Sequence, residues 1–294
     1  MLPVVANSRS LILRATHILF VRVNAVEATA WTPRAGGGEE RKLALTLRLD
    51  GVPKGQVDQR EGAEVHVEAL QRRLGFGWGP MPGVWSNVTV ESGMQLVAFA
   101  VATSSNAAVL LTDPAAVEVL TTEEAQADVT LAARTSSQPL SAVLAAARPQ
   151  APTLRHLFAD YLWASYRAAA MKDFSTFEAI VTAMEWPDLN TVARATLLMS
   201  IPDDVLAVEP VATQYIDRLA ASMVRILLLP QAKELRENIL GTFLPNLVDA
   251  DDPASRPPAR VFAAYPAERE SLRKLAAAPG QDAQAAALFA WARR

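Results

Sequence analysis

A two-domain α+β chain, an antiparallel β-barrel followed by an all-helical domain, is predicted by a change of period along the sequence. Before about residue 120, apolar residues recur at every second position, as in Leu43, Leu45, Leu47 and Leu49 against Lys42, Ala44, Thr46 and Arg48. From residue 153 onward they recur at spacings of three and four, as in Leu154, Leu157, Phe158, Tyr161 and Leu162. Side chains alternate across a strand but return to one helix face about every 3.6 residues, so the switch marks strands giving way to helices. The expected division is a barrel over 1–125, a linker over 126–150 and a helical domain over 151–294.

Composition narrows the class. With 294 residues, 51% hydrophobic and 20% charged, the chain can bury a core in each part and should not be broadly disordered. A net charge of -3 with scattered Lys and Arg argues against a nucleic-acid partner, because neutralising phosphates supplies most of such affinity. The absence of cysteine removes disulfides, thiolate nucleophiles and Cys-ligated metals. No apolar run reaches the roughly 18 residues of a membrane span. Residues Met1 to Ser10 lack the basic start of a signal peptide. A cytoplasmic protein is the default expectation, exported if a leader was removed ahead of this numbering.

Taken in order, Ser8 or Ser10 can cap a short helix carrying Leu11, Ile12 and Leu13. Leu19, Val21, Val23 and Ala25 then alternate with Phe20, Arg22 and Asn24, which predicts the first long strand. After the Pro33 and Gly36-Gly37-Gly38 connection, strands are expected over 41–49 and 63–70, the latter with Ala63, Val65, Val67 and Ala69 inward. Residues 71–93 are too rich in Gly and Pro for regular structure. Strands resume over 94–101, 108–111 and 117–120, and the Thr, Ser, Ala and Gln of 121–138 read as a boundary, with one more short strand or helical turn over Asp128 to Ala133 as the alternative.

Across residues 8–120 these features resemble the netrin-like module. The matching residues are Ala15 with Ile18, Leu19, Phe20 and Val23, then Lys54-Gly55, Gly62 with Val65 and Val67, and Gly93 with Leu96, Val97 and Phe99. The resemblance implies an OB-type barrel of the kind found in tissue inhibitors of metalloproteinases, with binding of other macromolecules through barrel loops. Those inhibitors place an N-terminal cysteine on the protease zinc. This chain has none, so protease inhibition is not implied.

In the second half, Thr153 is expected to cap one helix, and Phe174, Phe177, Ile180, Val181 and Met184 form the stripe of another. Trp186-Pro187 closes that helix and Asp188 starts the next, with Leu189, Val192, Ala193 and Leu197 inward. Further helices are expected over 211–228, 231–243, 267–277 and 282–293. The junction Trp186-Pro187-Asp188 before Val192 and Arg194 is echoed by Pro279-Gly280-Gln281-Asp282 before Ala286. That echo resembles HEAT-type units, the alternative being an irregular bundle.

Chemistry is sparse. His17, His66 and His156 lack metal-binding spacing, and read as surface or strand-edge residues. Asp249, Asp251 and Asp252 lack the Gly and Glu of a calcium loop, while Glu123-Glu124 and Asp203-Asp204 read as helix-start carboxylates. No nucleophile elbow or phosphate loop occurs, and neither a metal nor a cofactor is expected. The one stretch that argues for function is the Gly- and Pro-rich segment holding Phe76, Trp78, Met81 and Trp85. Aromatics there are not absorbed by a strand period, and such clusters serve as contact anchors, plug a barrel end or cover a domain interface. The expected function is a non-enzymatic binding or assembly module with a protein partner or a second copy of itself. The alternative is an enzyme of unrecognised class with a carboxylate-based site at the domain junction.

Overall fold

A computed structural model describes residues 12, 15–33, 38–56, 60–73, 90–102, 109–111, 117–119, 123–206, 213–244, 262, 264–277 and 286. By compactness the chain divides into two units, residues 1–138 and 139–294.

The first unit is built on one sheet. Its strands are β1 (His17–Ala28), β2 (Thr32–Pro33), β3 (Glu39–Lys54), β4 (Glu64–Arg73), β5 (Gln95–Ala102), β6 (Val109–Leu111) and β7 (Val117–Val119). β3 and β4 follow the alternation in the sequence. Leu43, Leu45, Leu47 and Leu49 are buried, and Leu45 and Leu47 lie opposite the buried Val67 and Val65. Each fully buried side chain of this size contributes about 1.5–3 kcal/mol of transfer free energy.

β1 departs from strict alternation. Its register against β3 shifts between Ile18 and Phe20, Phe20 and Val21, and Val23 and Ala25. Each irregularity resets which face a side chain meets. As a result Ile18 and Leu19 are both buried, and Ala25, expected inward, is exposed. In β5 the run Leu96, Val97, Ala98 and Phe99 is buried throughout, so both faces of this stretch are covered.

The wholly antiparallel closed barrel expected from the sequence is not formed. Antiparallel pairing leaves an open sheet running β4-β3-β1-β5, with β6 and β7 both on β5. Its margins β4 and β6 meet in parallel through three pairs, Val67 with Val109 to Ala69 with Leu111. Parity gives the reason, because directions cannot alternate all the way round an odd set of five strands.

Residues 121–138 and the linker at 126–150 carry regular structure. These form helices α1 (Glu123–Thr135), which packs on β3, and α2 (Leu140–Ala147). The buried face of α1 is Asp128, Val129, Leu131, Ala132 and Thr135, a stripe hidden within a polar composition.

The second unit continues with α3 (His156–Ala170), α4 (Phe174–Met184), α5 (Thr191–Leu206) and α6 (Thr213–Leu227). A helical run over 230–243 passes from 3-10 to π geometry, and α7 (Pro266–Ala277) follows. α3 packs on α4 and α5, and α6 packs on α4 and α7. Trp163, Tyr161, Phe158 and Phe177 are the largest apolar side chains in this core. Phe177 and Tyr215 lie with ring centroids 4.7 Å apart, and Tyr215 Oη donates to the Ala170 carbonyl at 3.1 Å.

The caps differ from expectation. Thr153 does not cap α3; its hydroxyl donates to the Gln150 carbonyl at 2.9 Å. Asn190, not Asp188, starts α5, accepting from Val192 N–H at 2.9 Å. α5 also runs through Pro202, because Ile201 and Val205 stand one turn apart on a buried face. Asp203-Asp204 therefore lie at the end of a helix and not at its start. Asp249, Asp251, Asp252 and the Pro279 to Asp282 junction lie outside the described residues. Among the described residues no helix is long and apolar enough to cross a membrane.

One position ties β1 to the end of β3. Gly55 has φ +86°, and a Cβ there would stand 2.8 Å from the Thr16 carbonyl oxygen and 2.5 Å from His17 Cδ2. Gly62, at φ +88°, has open space around it. Gly62→Ala meets only the left-handed strain, about 1 kcal/mol, whereas Gly55→Ala adds a backbone clash and should lose about 2–3 kcal/mol. Urea unfolding of the two variants measures the difference.

Candidate functional site

Polar chemistry in the second unit concentrates at the end of α4. Glu178, Thr182 and Glu185 fall on one face of α4 and its C-cap, at spacings of four and three. Arg218 and Arg225 fall seven apart on α6. Two turns separate each pair, so α4 and α6 packed side by side set carboxylates against guanidiniums.

Arg218, 2% exposed, is taken almost fully out of water. Its Nη1 donates to Glu185 Oε1 at 2.5 Å, its Nη2 donates to Thr182 Oγ1 at 3.0 Å, and its Nε lies 3.4 Å from Glu178 Oε1. Arg225 shares Glu185, at 3.1 Å from Oε2, and its Nε donates to Glu268 Oε1 of α7 at 2.6 Å. The Arg225 guanidinium also stands 5.8 Å from the centre of the Tyr265 ring. Burial would lower the Arg225 guanidinium, but its bonds to Glu268 and Glu185 outweigh burial and push it up. Burial raises the Tyr265 phenol.

Asp217, the neighbour of Arg218, is 6% exposed. Burial pushes its carboxyl up to about 6, opposed by the hydrogen bond that Phe262 N–H donates to it. Among the described residues its Oδ1 has no hydrogen-bond partner. Phe262 itself is buried and holds φ +67°, a conformation that residues with a Cβ seldom adopt.

A second buried guanidinium serves the same helix end. Arg194 of α5 donates from Nε to the Met184 carbonyl at 3.1 Å and from Nη2 to the Trp186 carbonyl at 2.6 Å. Burial lowers it, against the attraction of Asp188. Asp188 is in turn paired with Arg148, whose guanidinium stands over the Trp186 ring.

In the first unit, side chains of interest gather at one end of the sheet. Arg41 stacks over the Trp31 ring, 4.5 Å from its centre, and Thr32 Oγ1 donates to the Glu40 carbonyl at 3.0 Å. Opposite them, β4 ends with Arg72 across from Glu40 and Arg73 across from Glu39. Residues 74–89 follow Arg73 in the sequence. Phe76, Trp78, Met81 and Trp85 belong to that segment, which lies outside the described residues.

The histidines are dispersed. His17 Nε2 is 2.9 Å from the Gln56 carbonyl oxygen, the exposed His66 is 3.3 Å from Thr46 Oγ1, and His156 opens α3. Among the described residues no three His, Asp or Glu side chains are placed to hold a metal ion. Sequence reasoning singled out Trp78 and Trp85 and missed both the α4–α6 cluster and Trp31. The signal for the cluster was present as two seven-residue spacings of opposite charge. The chain matches no protein-family model, and no curated protein or solved structure matches it.

The α4–α6 geometry makes unequal partners of the two α4 glutamates. Glu185→Ala leaves a buried guanidinium short of its main carboxylate and should cost about 3 kcal/mol. Glu178 has a half-exposed side chain, so Glu178→Ala should cost under about 1 kcal/mol. Urea midpoints of the two variants at pH 7 measure the ranking.

Proposed function

We propose that the protein is a non-enzymatic binding and assembly module that associates with a second copy of itself. Its contact surface is the Trp31 end of the sheet together with the aromatic segment 74–89. The scaffold is of the netrin-like OB type, followed by HEAT-like helices. The strand circuit supports the scaffold reading. β1, β3, β4, β6 and β5 neighbour one another in that order and β1 also pairs with β5, as in a five-stranded, partly open barrel.

The observation that carries the functional reading is the Arg41–Trp31 stack on β3, the strand whose Glu39 pairs with Arg73, the last residue before the aromatic segment. Arg and Trp are the residue types most enriched at the centres of interfaces, where a flat ring offers large area at little entropy cost. In OB-type barrels the second and third strands and the loop before them form the binding face, and here those are β3, β4 and the Trp31 loop.

Size-exclusion chromatography with light scattering over a concentration series tests the proposal on the full chain. The wild type should exceed the monomer mass, and Trp31→Ala and the double variant Trp78→Ala/Trp85→Ala should return to it with Tm within about 3 °C. A wild type that stays monomeric, or variants that lose Tm while keeping their mass, overturn the proposal and make these rings part of the core.

A further inference from the structure

We propose that the edge of β1 over residues 24–28 joins two copies of the chain, pairing antiparallel with the same edge of the partner about a two-fold axis at Val26. This rests on the self-association proposed above and names the strand that makes it. The run leads directly into Trp31, so the edge continues the surface already assigned to that contact.

The direction of the β1 peptide groups shows which of them are open. Val23 faces β5, its N–H donating to the Met94 carbonyl at 2.9 Å and its carbonyl accepting from Gly93 N–H at 2.7 Å. The register with β5 ends there, at Arg22 with Gln95, while β1 runs on along β3 to Ala28 after an irregularity between Val23 and Ala25. Thr29 N–H donates to the Lys42 carbonyl at 3.0 Å. Bonding residues alternate along an antiparallel ladder, so Glu27 and Ala25 also face β3. Val26 and Ala28 therefore turn their N–H and C=O groups away from β3, and among the described residues no strand meets them. Asn24, Ala25, Glu27 and Ala28 are exposed.

A row of open peptide groups is a template for another strand unless something blocks it. Nearby margins are blocked. β2, on the same side of β3 as β1, carries Pro33, and the end of β3 carries Pro53 and Lys54. Residues 24–28 hold no proline and no lysine, and Glu27 is their one charge.

That charge and the length of the run select both register and occupant. With Val26 opposite the partner's Val26, the whole run is used and Glu27 stands against the partner's Ala25. A slip of two residues one way opposes Glu27 to the partner's Glu27, like charges face to face. A slip of two the other way brings Ala28 to the partner's Arg22, whose edge β5 already occupies. A slip of one sets outward peptide groups against inward ones. An open run that is symmetric about one residue, with a charge that clears its own copy in one register, fits a second copy of this chain.

The full chain contains no cysteine, so single cysteines can test the axis. Across it the two Val26 Cα atoms would lie about 5.5 Å apart, inside the roughly 4.4–6.8 Å that a disulfide spans. Under mild oxidation Val26→Cys should therefore cross-link into dimers about tenfold faster than Lys172→Cys, an exposed position on the helical unit. Val26→Pro removes an outward N–H and no bond to β3, so light scattering should show association weakened about tenfold or more, with Tm within about 3 °C. A wild-type dimer that Val26→Cys cross-links no faster than Lys172→Cys overturns the edge pairing and leaves the Trp31 contact standing, whatever Val26→Pro does to Tm. So does a Val26→Pro variant that associates as the wild type does. A monomeric wild type overturns both.

Discussion

Met184, Glu185 and Trp186, at the end of α4, are where the helical unit is tied together. A helix C terminus carries carbonyls without intrahelical partners and a partial negative charge, so it draws cations. Here the cations are buried arginines from two other helices. Arg194 of α5 takes the main-chain oxygens of Met184 and Trp186, and Arg218 of α6 takes the Glu185 side chain. A guanidinium stays charged at any ordinary pH and must be compensated when it leaves water. Each arginine therefore fixes the distance and rotation of its own helix relative to α4. Apolar packing of Phe177, Ile180 and Val181 supplies the driving force, and the arginines select one arrangement out of several that would bury similar area.

The sheet unit uses a different constraint. Its core is apolar, and its uniqueness comes from register, since a slip of one residue in β3 would turn Leu43, Leu45, Leu47 and Leu49 outward together. β1 is the strand that pays for closeness to two neighbours, with β3 on one side and β5 on the other over His17 to Arg22. Its irregularities let it follow both ladders, and Gly55 lets the end of β3 pass against Thr16 and His17 where no Cβ fits.

This difference decides how much could be read from the sequence. The strands β3 and β4 were legible because one face is wet, so burial writes a period of two directly into the residues. The bulges of β1 were not, because they arise from its partners and leave no mark in its own composition. α1 was read as a boundary because its buried Val129, Leu131 and Ala132 are set among acids, alanines, Gln126 and Thr130, which carry no continuous apolar run. Asp203-Asp204 misled because a proline before two acids imitates a helix start, while Ile201 and Val205 carry the helix through it. For the ionic cluster, the spacings of Glu178 with Glu185 and Arg218 with Arg225 are in the sequence. They become informative only once α4 and α6 are known to be neighbours, which is a tertiary fact.

The cluster also explains why charge at this site is uneven in its effects. Glu185 is shared by Arg218 and Arg225, and Arg225 is shared by Glu185 and Glu268, so each bond polarises the next and a continuous line runs from α4 through α6 to α7. Asp217, next to Arg218 in the chain, is buried, and among the described residues its Oδ1 has no hydrogen-bond partner. Side chains inside the line are paired with opposite charge and hold the helices in register. For Asp217, burial works against the ionised form. The helical unit is thus held by buried rings and guanidiniums at its centre and, at α7, by the Arg225–Glu268 pair and the buried Leu272.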